Sequence, residues 1–236
     1  MGTSNMLTLP QKLPERLQLV RQRIAEAASA AGRDPASVTL IGVSKTQPAA
    51  AVREAIAAGL ADFGENYVQE AMGKLREVAD ESVTWHFIGA LQSNKTREVA
   101  AHFHWVHTID REKIARRLSE QRPFHSPPLQ VCLQVRLGGE ETKSGVGASE
   151  LDALADAVAA LPRIRLRGLM CIPPAEDDPA RQRHWFAELR RLQEGLVARG
   201  HDLDALSMGM SGDFEAAISE GATHVRVGTA LFGPRS

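Results

Sequence analysis

Val38-Thr39-Leu40-Ile41-Gly42-Val43-Ser44-Lys45-Thr46-Gln47-Pro48 is the stretch that decides the fold. An apolar, β-branched run bounded by turn residues reads as a strand buried on both faces, the kind found in parallel sheets. The run delivers the backbone to Lys45 and stops at Pro48. Lysine is rarely buried. At the carboxyl end of a buried strand its amine is partly desolvated, which lowers its pKa and frees the lone pair. A neutral amine attacks carbonyls, so Lys45 is a candidate Schiff-base lysine. The alternative is a strand-end ammonium that reaches solvent along its apolar stem.

Working outward, Leu13–Gly32 reads as an amphipathic helix, with Leu17, Val20 and Ile24 at helical spacing and Gly32 as its stop. After Pro48 come a helix over Ala49–Gly59, a strand over Asp62–Glu65 and a helix over Asn66–Ala79. The alternation continues with strands at Thr84–Gly89, Trp105–Ile109, Leu129–Arg136, Ile164–Ile172, from Leu206–Met208, and His224–Val227. Helices are expected over Ser93–Ala101, Arg111–Gln121, Ser149–Leu161, Pro179–Arg199 and Asp213–Glu220, with Asp110 and Ser149 as N-caps. Eight strand–helix alternations with short connections predict an α/β fold: a single TIM-type (β/α)8 barrel with an extra N-terminal helix. An open doubly wound sheet is the rival, but the glycine-rich turn expected after its first strand is missing. Ser44-Lys45-Thr46 is no phosphate loop, because a serine precedes the lysine.

The 236 residues suit one barrel domain, 1–236, with no room for a second of any size. A net charge of -1 argues against nucleic acid or a membrane surface as partner. Cys132 and Cys171 sit in apolar runs and read as reduced, buried thiols of a cytoplasmic protein. The amino terminus has no apolar signal core, and no stretch approaches a membrane span. The polar, glycine-rich loop Gly138–Gly147 is expected to be a mobile rim loop.

In such barrels the chemistry lies at the carboxyl ends of the strands. That rule collects Lys45, Glu65, Asn66, His86 to Gln92, Ser207 to Ser211 and Arg226 to Thr229. Ser207-Met208-Gly209-Met210-Ser211-Gly212-Asp213 joins a strand to a helix through small residues whose amides and hydroxyls suit an anion. Loops after the seventh and eighth strands often bind phosphate. A strand-end lysine facing a phosphate cradle suggests pyridoxal 5'-phosphate, whose aldehyde and phosphate lie at opposite ends of one ring. Each part also has a plain structural reading: Gly209 and Gly212 as a turn, Arg226 in an ion pair, Glu65 and Asn66 as helix caps, His86 packed in the barrel. His102, His104 and His107 invite a metal site, but no cysteine or carboxylate joins them nearby, and none is expected. Met72, Met170, Met208 and Met210 read as core packing.

The motifs Val43-Ser44-Lys45-Thr46, Gly64-Glu65-Asn66-Tyr67-Val68-Gln69-Glu70 and Trp85-His86-Phe87-Ile88-Gly89 are specific. So are Leu91-Gln92-Ser93-Asn94-Lys95, Lys143-Ser144-Gly145, Gly168-Leu169-Met170, Ser207-Met208-Gly209-Met210-Ser211 and Val225-Arg226-Val227-Gly228. Through them the chain resembles the pyridoxal-phosphate homeostasis proteins, the YggS/PROSC-like family, from the first helix to Gly233. Arg136 departs from the asparagine common there. The resemblance implies a barrel similar to the N-terminal domain of alanine racemase, with Lys45 as the Schiff-base lysine. It implies that Ser211, Gly228 and Thr229 hold the phosphate and that Arg226 lies at the pyridine nitrogen or the phosphate. Asn66, His86 and Met208 complete the expected cofactor-binding set. It also implies a monomeric carrier, transiently meeting apo-enzymes, rather than an enzyme. A racemase needs proton-transfer groups on both faces of the amino acid, and the single tyrosine is Tyr67. The rival readings are a pyridoxal-phosphate racemase or decarboxylase, and a Schiff-base aldolase.

Overall fold

The computed structural model describes residues 12–138 and 144–233. Among them, eight parallel strands close a barrel in sequence order: β1 (Thr39–Val43), β2 (Asp62–Glu65), β3 (Thr84–Phe87), β4 (Trp105–Ile109), β5 (Leu129–Val135), β6 (Ile164–Cys171), β7 (Ala205–Met210) and β8 (His224–Val227). The helices are α1 (Leu13–Ala30), α2 (Ala49–Ala57), α3 (Val68–Val78), α4 (Thr96–His102), α5 (Glu112–Gln121), α6 (Ala148–Ala159), α7 (Pro179–Ala198), α8 (Phe214–Ser219) and α9 (Thr229–Phe232). β1 pairs with both β2 and β8, which closes the sheet and removes its edges.

The expected alternation is present, with ends shifted by a residue or two as helices fray. Three details differ. Asp110 and Ser149 do not cap: Arg111 and Gly147 stand at the N-cap positions, without a side-chain bond. Asp110 instead pairs with Arg111 at 2.7 Å, and Ser149 lies inside the first turn of α6. The segment from Ser93 opens as a 3-10 turn over Ser93–Lys95, closed by Thr96 Oγ1 donating to the Ser93 carbonyl, before α4 begins. The four-residue α9 was not expected, because one turn is too short to show a periodicity.

The apolar residues divide by strand face. Leu40, Phe63, Phe87, Val106, Val131 and Met208 join one core between the barrel and its helices. Leu13, Leu17, Val20 and Ile24 lay the apolar stripe of α1 onto the same core. The lumen differs. Val43, Gly64, His86 and Trp105 occupy successive register positions across four strands, so they share one face. His86 and Trp105 carry that layer into a polar and aromatic interior with His107, His224, Ser207 and Arg226, all buried except the part-exposed Trp105. Period two from Val43 brings Lys45 to the same face at the carboxyl end.

Of the loop Gly138–Gly147, residues 139–143, and with them Lys143, lie outside the described residues. Its end returns to the barrel: Val146 pairs with Val135, and the Val146 amide donates to the Gln134 carbonyl at 2.8 Å. No helix among the described residues is long and apolar enough to cross a membrane.

Candidate functional site

The carboxyl ends of β1 and β8 bring Lys45, Gly228 and Thr229 to a common small cavity of about 30 Å³, also lined by Val43, Gln47 and Phe232. Lys45 is half-buried there. Its neighbours in sequence are held from behind. Ser44 is fully buried and donates to Glu65 Oε1 at 2.6 Å. Thr46 takes a left-handed backbone, φ 65°, and its amide donates to Glu70 Oε1 at 2.6 Å. Lys74 of α3 donates to Glu65 Oε1, to Glu70 Oε1 and to the Ser44 carbonyl. This network clamps both residues that flank Lys45. Burial pushes the Glu65 carboxyl up, against the pull of Lys74 and Ser44.

Asn66, which follows β2, and Gly89, which follows β3, form the adjoining wall. A Cβ on Gly89 would lie 2.1 Å from the Asn66 carbonyl oxygen, so only glycine admits this approach. Both line a cavity of about 300 Å³ with Ile88, Thr108, Gln134 and Ile172, at the ends of β3 to β6. The Asn66 Oδ1 atom is buried there without a hydrogen-bond partner among the described residues. Buried amide oxygens are normally paired, so this end of the side chain suits a polar ligand.

On the β7–β8 side, Gly209 has φ 94°, and a Cβ there would lie 2.7 Å from Ala217 Cβ. Its turn sets Ser211 beside α9, where Ser211 Oγ accepts from the Ala230 amide at 3.4 Å. Asp213 Oδ1 accepts from the Met210 amide at 2.6 Å and ties the turn. Arg226 is buried: Nη1 donates to Ser207 Oγ at 2.8 Å and Nη2 to the Cys171 carbonyl at 2.9 Å. Burial lowers its pKa, and no carboxylate among the described residues pairs with it directly. A desolvated guanidinium at this end of the barrel attracts an acceptor or an anion.

The family model described as alanine racemase, N-terminal domain, matches residues 16–236. The pyridoxal phosphate homeostasis protein of Pseudomonas aeruginosa is 62% identical over 223 residues, covering 94% of this chain and 96% of that protein. Its namesake in Escherichia coli K12 is 53% identical over 222 residues, covering 93% and 95%. The chain belongs to this family, the pyridoxal phosphate homeostasis proteins with an alanine racemase N-terminal domain. PipY of Synechococcus elongatus, solved with PLP bound, superposes with a TM-score of 0.84 at 40% identity, covering 94% of this chain and all of PipY. The relatives are named for homeostasis of the cofactor, not for a reaction.

Against the family expectation, the structure gathers Lys45, Asn66, Ser211, Arg226, Gly228 and Thr229 at the carboxyl ends of the strands. It does not bring His86 or Met208 there. His86 is 1% exposed, and both ring nitrogens are engaged: Nε2 with Asp62 Oδ1 at 3.0 Å and Nδ1 with His107 Nε2 at 2.9 Å. Asp62 opens β2, so the His86 ring turns toward the amino-terminal end of the lumen. Met208 is fully buried in the core under the helices, because it alternates with luminal Ser207 along β7. Met210, by contrast, is 37% exposed and packs no core. The three histidines close in sequence separate: His102 bonds the Glu98 carbonyl, His104 the Trp85 amide, and His107 enters the lumen. Among the described residues no group of side chains suits a metal.

Lys74 carries no sequence-based expectation and Glu70 enters only as the end of a motif, while Asp62 enters only as a strand start and His107 only in the metal reading. The spacing Glu70–Lys74, four apart on a helix, was the available signal for the first pair.

Proposed function

We propose that this protein holds pyridoxal 5'-phosphate through a Schiff base on Lys45 and serves its homeostasis and delivery in the cytoplasm without turning over a substrate. The observation that carries the reading is the shared cavity of Lys45, Gly228 and Thr229, with Arg226 buried beyond it. Names and the bound ligand of relatives at 40–62% identity support it.

The residues fit the group. In this reading the Lys45 amine adds to the aldehyde and water leaves. Ser211, Gly228 and Thr229 supply a hydroxyl and backbone amides for the phosphate. The unpartnered Asn66 amide meets a polar ring substituent, and Arg226 meets the ring nitrogen or the phosphate. Bound there, the cofactor supplies an electrophilic carbon and an electron sink. The chain acts as one cofactor-binding unit over residues 1–236, as a monomer that meets apo-enzymes transiently.

The test is an absorbance spectrum of the purified protein before and after borohydride, with peptide mass mapping. The reading expects a visible band that reduction removes, the adduct on Lys45, and loss of both in Lys45→Ala. No band after incubation with pyridoxal phosphate overturns it. Conversion of an added amino acid would replace it with the racemase or decarboxylase reading.

A further inference from the structure

A polar chain crosses the lumen from the amino-terminal rim to Arg226. Asp62 Oδ1 bonds His86 Nε2 at 3.0 Å; His86 Nδ1 bonds His107 Nε2 at 2.9 Å. His107 Nδ1 bonds Ser207 Oγ at 2.7 Å, and Ser207 Oγ meets Arg226 Nη1 at 2.8 Å. Only Asp62 touches solvent appreciably, at 28% side-chain exposure; the other members are within 4% of complete burial. Arg226 then reaches the carbonyl of Cys171, the last residue of β6.

The chemistry of the members permits one direction. A carboxylate only accepts, so His86 donates from Nε2. Burial pushes both His86 and His107 down, so each is neutral and carries one ring proton. His86 Nδ1 must then accept from His107 Nε2, and His107 Nδ1 must accept from the Ser207 hydroxyl. Ser207 oxygen accepts in turn from Arg226, which can only donate. Every bond points from the guanidinium to Asp62. Chains of this kind polarise cooperatively in a low dielectric.

We infer that Asp62, His86, His107 and Ser207 are positioning residues for Arg226: a one-way hydrogen-bond chain that fixes the guanidinium toward the cofactor site and couples its buried charge to Asp62 at the far end of the barrel. The inference deepens the function proposed above and rests on it for the ligand. The chain tolerates one protonation state. A proton on His86 makes both its nitrogens donors, which forces His107 to turn its own proton toward Ser207 and Arg226. The charged and titratable groups around these rings are Asp62 from β2, His107 from β4, Arg167 from β6, His224 and Arg226 from β8, His104 ahead of β4 and Asp204 ahead of β7.

Two measurements test this on the full chain. Nitrogen-15 NMR of the ligand-free protein is expected to show His86 and His107 both protonated at Nε2 and bare at Nδ1 from about pH 6 to about pH 8. The opposite tautomer, or titration near the ordinary histidine value, overturns the chain whether or not any ligand binds. The second measurement is pyridoxal phosphate binding and the spectrum of the bound form in Asp62→Ala, whose site lies at the amino-terminal rim, away from Lys45. Affinity is expected to fall by about tenfold, with a bound spectrum that becomes pH-dependent. Asp62→Asn, which keeps an acceptor oxygen but not the charge, is expected to restore the pH-independent spectrum and only part of the affinity. A lowered melting temperature with affinity and spectrum unchanged would make the chain structural only and overturn the inference. Wild-type protein that shows the NMR pattern but takes up no pyridoxal phosphate would sink the functional reading and leave the one-way chain standing.

Discussion

Lys74 Nζ lies 2.7 Å from Glu65 Oε1, and the two side chains are 6% and 0% exposed. The pair is almost fully desolvated, and it stands directly behind the loop that carries Lys45. Removing one partner leaves an uncompensated buried charge, which costs about 3–5 kcal/mol. Lys74→Met is therefore expected to lower stability by that amount in urea unfolding and to loosen Ser44 and Thr46. Adding Glu65→Gln to it should recover part of the loss. Equal destabilisation in single and double variants would show that the charge is not the cause.

Gly89 gives a sharper steric test. Its Cβ position falls 2.1 Å from the Asn66 carbonyl oxygen, and backbone atoms cannot step aside as a flexible side chain can. Gly89→Ala is expected to cost at least about 2 kcal/mol and to displace Asn66, weakening ligand uptake as well. Gly195, with open space around its Cβ position, is the control: Gly195→Ala in the exposed last turn of α7 should be neutral or stabilising by up to about 1 kcal/mol.

Stability should depend on pH through the luminal histidines. Burial lowers His86, His107 and His224 below the ordinary value of 6.5, with His224 lowered to about 3. Between those folded values and 6.5 the unfolded chain binds protons that the folded chain does not. Stability is thus present in full above 6.5 and lost as the pH falls below it, at about 1.4 kcal/mol per pH unit for each group. Urea midpoints measured at falling pH should show that slope, and His224→Gln should flatten it. A midpoint constant through this window would mean the rings are charged or hydrated.

Cys132 and Cys171 are both fully buried, and burial pushes each thiol up to about 12. The thiolate is the nucleophile, so native protein should resist iodoacetamide while unfolded protein reacts at once. Rapid modification of the native chain would contradict the closed lumen that shields Cys132 beside Met170 and Ala205.

The barrel was legible because its signal is local and repeated. Val38–Pro48 has the apolar run of a strand buried on both faces, and seven further segments repeat strand and helix at short spacing. Lys45 was legible for the same reason, as a charged residue at the end of such a run. The lumen was not. A buried His86 at a strand end gives the same sequence signal whether its ring turns toward the carboxyl rim or, as here, toward Asp62. Met208 likewise lies in the quoted motif but packs under the helices, since one step along a strand reverses the side chain. Lys74 was invisible as a buried residue because its partners, Glu65 and the Ser44 carbonyl, come from two other elements.

The Ser207 hydroxyl has a further consequence as a span between walls. His107 on β4 and Arg226 on β8 stand four strands apart, on opposite sides of an eight-stranded cylinder, and one oxygen meets both at 2.7 and 2.8 Å. Most barrels set their bore by the volume of the side chains stacked inside. Here the hydroxyl on β7 is held by its neighbour β8 and reaches across to β4 like a cross-brace, so the cylinder resists flattening at this level. Substitutions in this layer should be judged by reach and not by greasiness: a side chain of equal volume that cannot bond both walls leaves the bore without its brace.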